Sequence, residues 1–131
     1  MEQAADLTSR GNYQEAVHKY EQIIARHPSL GDEVQFEMGL MYASPHNKYK
    51  DYSKALECFQ QIIQNYPKSI HRRNSATLIS LIEEIYKKDK KTMTQSRQID
   101  KLEQEIEAMK KKLERIKKVD MELMQKKKTV P

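Results

Sequence analysis

A chain of 131 residues has room for one compact domain and an appendage, which excludes two independent hydrophobic cores. Only 37% of its residues are hydrophobic, with no Trp and two Phe, so the apolar side chains must be gathered into stripes. Three Gly and four Pro leave helices as the natural elements. The net charge of +5 is unevenly placed: Met1 to Tyr86 carries nine Lys/Arg against eleven Asp/Glu, Lys87 to Lys128 fifteen against eight. A basic tail fits a solvated Lys-rich helix better than a dedicated nucleic-acid or lipid surface. Cys58 is the only cysteine, which excludes an intrachain disulfide; it reads as a small buried hydrophobe rather than a reactive thiol. No stretch approaches the roughly 18 apolar residues of a membrane helix, and no signal-peptide core is visible.

In chain order, Glu2 to Ser9 reads as a short helical remnant. Tyr13, Ala16, Val17, Tyr20, Ile23 and Ile24 then recur at three- and four-residue steps, predicting a helix that Pro28 closes. Asp32 to Ala43 is a further amphipathic helix with Val34, Met38, Met41 and Tyr42 for packing. Gly39 lies inside it at a cost of about 1 kcal/mol relative to Ala, which implies a close approach to its backbone. After a loop, Ser44 to Lys50, the first stripe returns as Tyr52, Ala55, Leu56, Phe59, Ile62 and Ile63, closed by Pro67. The spacing of the equivalent residues is constant, from Ala16 to Ala55 and from Pro28 to Pro67, so the chain contains an internal repeat. A third helix, about Ile70 to Lys88, carries Ala76, Leu78, Ile79, Leu81, Ile82, Ile85 and Tyr86.

These motifs resemble the tetratricopeptide repeat. Gly11-Asn12-Tyr13-Gln14-Glu15-Ala16, Tyr20 and Pro28 match the start, aromatic and closing Pro of its second helix. Asp51-Tyr52-Ser53-Lys54-Ala55, Phe59 and Pro67 match again, with Lys50 in place of the Gly, and Gly39 fills the first-helix glycine position. The spacing exceeds the family's period of roughly 34 residues, with most of the excess in the Ser44 to Lys50 loop. The resemblance implies an all-α array of about two repeats over residues 1–88, its first helix A cut short. The third helix would begin another repeat or cap the array. It also implies a concave, mildly acidic protein-binding groove on Glu33, Glu37 and Leu40, with Ser44 beside them. Ala5 and Leu40 stand where family members that clamp a C-terminal carboxylate carry Asn, which disfavours that use. More narrowly, Phe36 to Ala43, Asn47 to Tyr52, Gln61 to Ser69 and the tail from Ile116 to Leu123 look like bacterial envelope lipoproteins of the BamD and QseG kind. That implies a periplasmic location with a lipidated N-terminal Cys and leader in the natural protein, a cytoplasmic one being the alternative.

Residues 89–98 read as a hinge or a continuation of the helix, and 99–128 as a C-terminal coiled-coil helix. Ile99, Ile106 and Leu113 fall at heptad position a, and Leu102, Met109, Ile116 and Leu123 at d, with Asp120 interrupting the seam. Ion pairs four apart, such as Glu107 with Lys111 and Glu114 with Lys118, add only about 0.2 to 0.5 kcal/mol each and do not account for such a seam. It points to self-association or to a partner helix. Glu103 and Glu105 lie early and Lys110, Lys112 and Lys117 late, which favours an antiparallel arrangement.

Catalytic patterns are missing. No Gly-rich phosphate loop or Ser/His/acid set occurs, and His18, His27, His46 and His71 are scattered without metal-ligand spacing. Adjacent Glu83 and Glu84 point in different directions on a helix. The sequence therefore predicts a non-enzymatic interaction adaptor with no cofactor and no metal, binding a protein client. Charge-only binding of nucleic acid or an anionic surface by Lys110-Lys111-Lys112, Lys117-Lys118 and Lys126-Lys127-Lys128 is the alternative; with no aromatic residue in the tail for base stacking, nucleic acid is disfavoured.

Overall fold

The computed structural model describes residues 1–129. They form α1 (Glu2–Ser9), α2 (Tyr13–Arg26), a 3-10 turn at Pro28–Leu30, α3 (Gly31–Ala43), α4 (Tyr52–Asn65) and α5 (Arg72–Thr129), with no strand among them. The chain divides into two units, Met1–Tyr86 and the remainder from Lys87.

In the first unit several helix boundaries have a local cause. Gly11, at φ +81°, follows α1 in the left-handed region. Its N–H donates to the Thr8 carbonyl and that of Asn12 to the Leu7 carbonyl, the paired bonds of a Schellman turn. This makes Gly11 the residue that lets α1 and α2 fold back on each other. Asp51 opens α4 by accepting a bond from the Lys54 N–H at 3.1 Å. Pro28 and Pro67, each two residues beyond a helix end, keep α2 and α4 from running on.

Two apolar clusters hold the unit together. Ala4, Ala16, Tyr20, Val34, Met38 and Met41 bury one side of α3 against α1 and α2, and Cys58 joins them from α4. Ala55, Phe59, Ile62 and Ile82 form the second, with Phe36, Tyr42, Leu78 and Ile79 against them. α3 contributes to both clusters, which is why its apolar residues run all round it rather than along one stripe. The Ala residues let helices approach and the aromatic one turn later fills the space: Ala16 with Tyr20, Ala55 with Phe59, all essentially inaccessible. Burying Phe59 alone is worth about 1.5 to 3 kcal/mol. The close approach expected at Gly39 is made by a ring: a Cβ there would lie 2.5 Å from Phe59 Cε1.

The third helix differs from its sequence estimate at its start, and beyond Lys88 it takes the second of the two readings, a continuation. It starts at Arg72, leaving Ile70 in the preceding turn and almost fully exposed. It then continues through residues 89–98 to Thr129, because no Gly or Pro occurs over that span to stop it. Ala76, Leu81 and Tyr86 face solvent, while Leu78, Ile79 and Ile82 pack in the second cluster. Periodicity offers no hint of Ser75, which is fully buried with no hydrogen-bond partner for its hydroxyl.

Candidate protein-interaction surfaces

The first surface lies on α3. Glu33, Glu37 and Leu40 are spaced to share one helix face. Glu33 is exposed, Leu40 is 38% exposed and Glu37 is half-buried. Burial pushes the Tyr20 phenol above its usual range; a hydrogen bond with Thr8 opposes this and the Glu37 carboxylate adds to it. Glu37 thus sits within electrostatic reach of the aromatic that fills the space between the first helices. The chain beyond α4 braces α3 through two contacts next to this face. Ser69 donates to the Asp32 carboxylate at 2.5 Å, which holds that carboxyl below its usual pKa, and His71 stacks on Phe36 at 4.4 Å between ring centroids.

The second surface is one that sequence reasoning passed over. The Ser44 to Lys50 loop is an ordered wall rather than a slack connection. Asn47 is buried, donates through Nδ2 to the Met41 carbonyl at 3.0 Å and accepts from the Tyr49 N–H at 2.8 Å, while the Asp51 N–H bonds the Tyr42 carbonyl. This places Tyr49 beside Tyr13, Val17, Met41, Tyr42 and Lys54 around a cleft of about 290 Å³. Ammonium groups lie over the aromatic faces: Lys54 over Tyr42 at 5.5 Å, Lys48 over Tyr49 at 5.1 Å and Lys50 over Tyr52 at 5.0 Å. The signal available in the sequence was Asn47 within a Ser-Pro-His-Asn turn, a residue type that bonds its own backbone two positions on.

The third surface is the distal part of α5. Ile99, Leu102, Ile106, Met109, Leu113, Ile116 and Leu123 are between 52% and 64% exposed, and Val119, Met121 and Met124 are similar. Together the heptad positions form an exposed apolar stripe along one face of the helix. Lys110, Lys112 and Lys117 and Glu103 and Glu105 flank it, all exposed.

Cys58 is buried, and burial, with the nearby Glu57 charge, pushes its thiol up to about 11, so it is protonated at neutral pH. Among the described residues no group of three or more His, Cys, Asp or Glu could hold a metal ion. No described helix is long and apolar enough to cross a membrane.

Comparison with curated proteins and with solved structures found no significant match, and nothing in those comparisons bears on the envelope-lipoprotein resemblance. A family model does match: residues 33–69, which hold α3, the ordered loop and α4, fit the tetratricopeptide repeat. The helix pair, the Ala–aromatic packing at Ala55 and Phe59 and the closing Pro67 are the physical content of that match, and the chain therefore carries a tetratricopeptide repeat, a module whose general use is protein–protein interaction.

Proposed function

We propose that this protein is a non-enzymatic adaptor: its repeat body takes a protein client, and the seam on distal α5 associates with another helix. The observation that carries the reading is the pairing of a recognised interaction repeat with a run of apolar side chains, each more than half exposed, along one helix. The exposed α3 face and the tyrosine-walled cleft are the body's candidate contacts, through Glu37 and Leu40 on the first and Tyr42 and Tyr49 on the second. A location in the bacterial envelope rests on the sequence resemblance alone and is tested by fractionating cells that express the protein from its natural gene.

Two sets of variants test the adaptor reading in the full chain. Leu102→Lys with Leu113→Lys should abolish helix-mediated association in light scattering while leaving the unfolding of the body unchanged. Glu37→Ala with Leu40→Ala, and separately Tyr49→Ala, should weaken an identified client at least several-fold. Client affinity that survives all of these substitutions would remove the repeat body from the interface.

A further inference from the structure

We propose that residues 96–119 of α5 pair with the same stretch of a second copy in an antiparallel two-stranded coiled coil, its two-fold axis passing between Glu107 and Ala108. The inference deepens the reading of α5 as an interface by naming its occupant, orientation and register.

Three features of this stretch select the same arrangement. In an antiparallel pair, a residues face d residues of the other copy. Centring the axis between Glu107 and Ala108 sets Ile99 against Ile116, Leu102 against Leu113 and Ile106 against Met109, each pairing occurring twice by symmetry. Every layer from Ile99 to Ile116 is then apolar on both sides, and all of these side chains are more than half exposed in the single chain. The polar residues at the seam's ends also meet each other. Gln95, the preceding d residue, faces Asp120, the interrupting a residue, so an amide that can donate lies opposite a carboxylate that accepts. The flanks, finally, are complementary. Antiparallel helices bring e residues against e and g against g, which pairs Glu103 with Lys110 and Glu105 with Lys112 of the other copy, again twice each, with no like-charge pair over this stretch.

Competing arrangements each lose on these counts. Shifting the antiparallel register one heptad toward the C-terminus sets Leu102 against Asp120 and brings Lys110 and Lys112 against their own counterparts. Shifting it the other way puts Glu103 on Glu103 and Glu105 on Glu105, and packs Gln95 on Leu113. A parallel, in-register pair keeps the apolar layers and gains Glu105 with Lys110, but it sets Asp120 against Asp120 in the core and Lys112 against Lys117. The Ile99 to Ile116 contact is only about 25 Å long at 1.5 Å per residue, so the dimer is concentration-dependent.

Lys112 offers a test in which orientation reverses the sign of the effect. The residues four positions away from it are Ala108 and Ile116, so Lys112→Glu disturbs no charge pair at that spacing within its own helix. In the antiparallel dimer the substitution sets a second carboxylate against Glu105 of the other copy, and sedimentation velocity of the full chain over a concentration series should show roughly tenfold weaker dimerisation. Adding Glu105→Lys should restore it. A tighter dimer for Lys112→Glu would mean a parallel pair, and an unchanged one would mean a different face; either overturns the proposal. A second measurement uses Cys58→Ala chains carrying Leu102→Cys or Leu113→Cys: mixing the two should give a cross-linked species with a short bismaleimide that neither gives alone. A wild-type chain that stays monomeric throughout the series also overturns the proposal, yet leaves the adaptor reading standing, since α5 would remain free to take a different protein's helix. That broader reading fails only if client association survives Leu102→Lys with Leu113→Lys and the substitutions in the repeat body.

Discussion

Ile62 and Ile106 are the same residue type at the same kind of position, on the apolar stripe of an amphipathic helix. One is inaccessible and the other is 53% exposed. The difference lies in what surrounds each helix. α4 has α3 and the first turns of α5 packed on it, so Ile62 shares its cluster with Ala55, Phe59 and Ile82. Among the described residues none buries the stripe around Ile106, which stays open to solvent along the helix. An apolar stripe thus states that a helix needs cover but leaves the source of that cover to the rest of the fold.

Truncating one large side chain in each region puts this contrast under the severest strain. Phe59→Ala should destabilise the body by about 3 to 5 kcal/mol in denaturant unfolding, because it empties a closed cluster. Leu113→Ala should leave the unfolding midpoint of a dilute sample essentially unchanged while weakening association, and a large loss of stability in the dilute monomer would show that the seam is already covered. Gly39→Ala comes next. Helix propensity favours Ala by about 1 kcal/mol, but the added Cβ would overlap the Phe59 ring, so a net loss of about 1 to 3 kcal/mol is expected. A gain in thermal midpoint would show that the ring has room to move.

Smaller effects probe the polar contacts at the edge of the body. Ser69→Ala removes the hydroxyl that holds the Asp32 carboxyl below its usual range, for a loss of about 1 kcal/mol at this partly exposed position. Since the folded-state pKa is depressed, the contribution is present above the unfolded value near ~4 and disappears as pH falls through the folded one. The wild-type and Ser69→Ala unfolding curves should therefore differ at pH 7 and converge in acid; a constant gap would assign the loss to packing. Ser75→Ala should be neutral or stabilising by up to about 1 kcal/mol, because it deletes a buried hydroxyl with no partner at little change in volume. A loss beyond that by calorimetry would reveal a hydrogen bond that forms in solution.

Much of the body was readable in the chain itself. The recurring Tyr, Ala, aromatic, Ile-Ile and Pro positions placed α2 and α4, since a helix that buries one face must repeat its apolar residues near every third or fourth position. The Ser44 to Lys50 loop was legible only as an insertion. Its role as the wall of a cleft depends on Asn47 reaching Met41 across the end of α3, and spacing along the chain does not encode that contact. Likewise the α3 spacing put Glu33, Glu37 and Leu40 on one face, but their unequal exposure depends on which parts of that face the neighbouring elements cover.

The helices, their stripes and the heptad seam are therefore written in the order of the residues, because they follow from local periodicity and from the few residues able to end a helix. The division of charge along α5, acidic at Glu103 and Glu105 and basic at Lys110, Lys112 and Lys117, is written there too. Which stripes are satisfied within the chain is settled by packing, as are the filling of the space at Gly39 by the Phe59 ring and the sealing of Ser75 without a partner. Those outcomes depend on distances between segments remote in sequence, and close packing fixes them only once the helices have met.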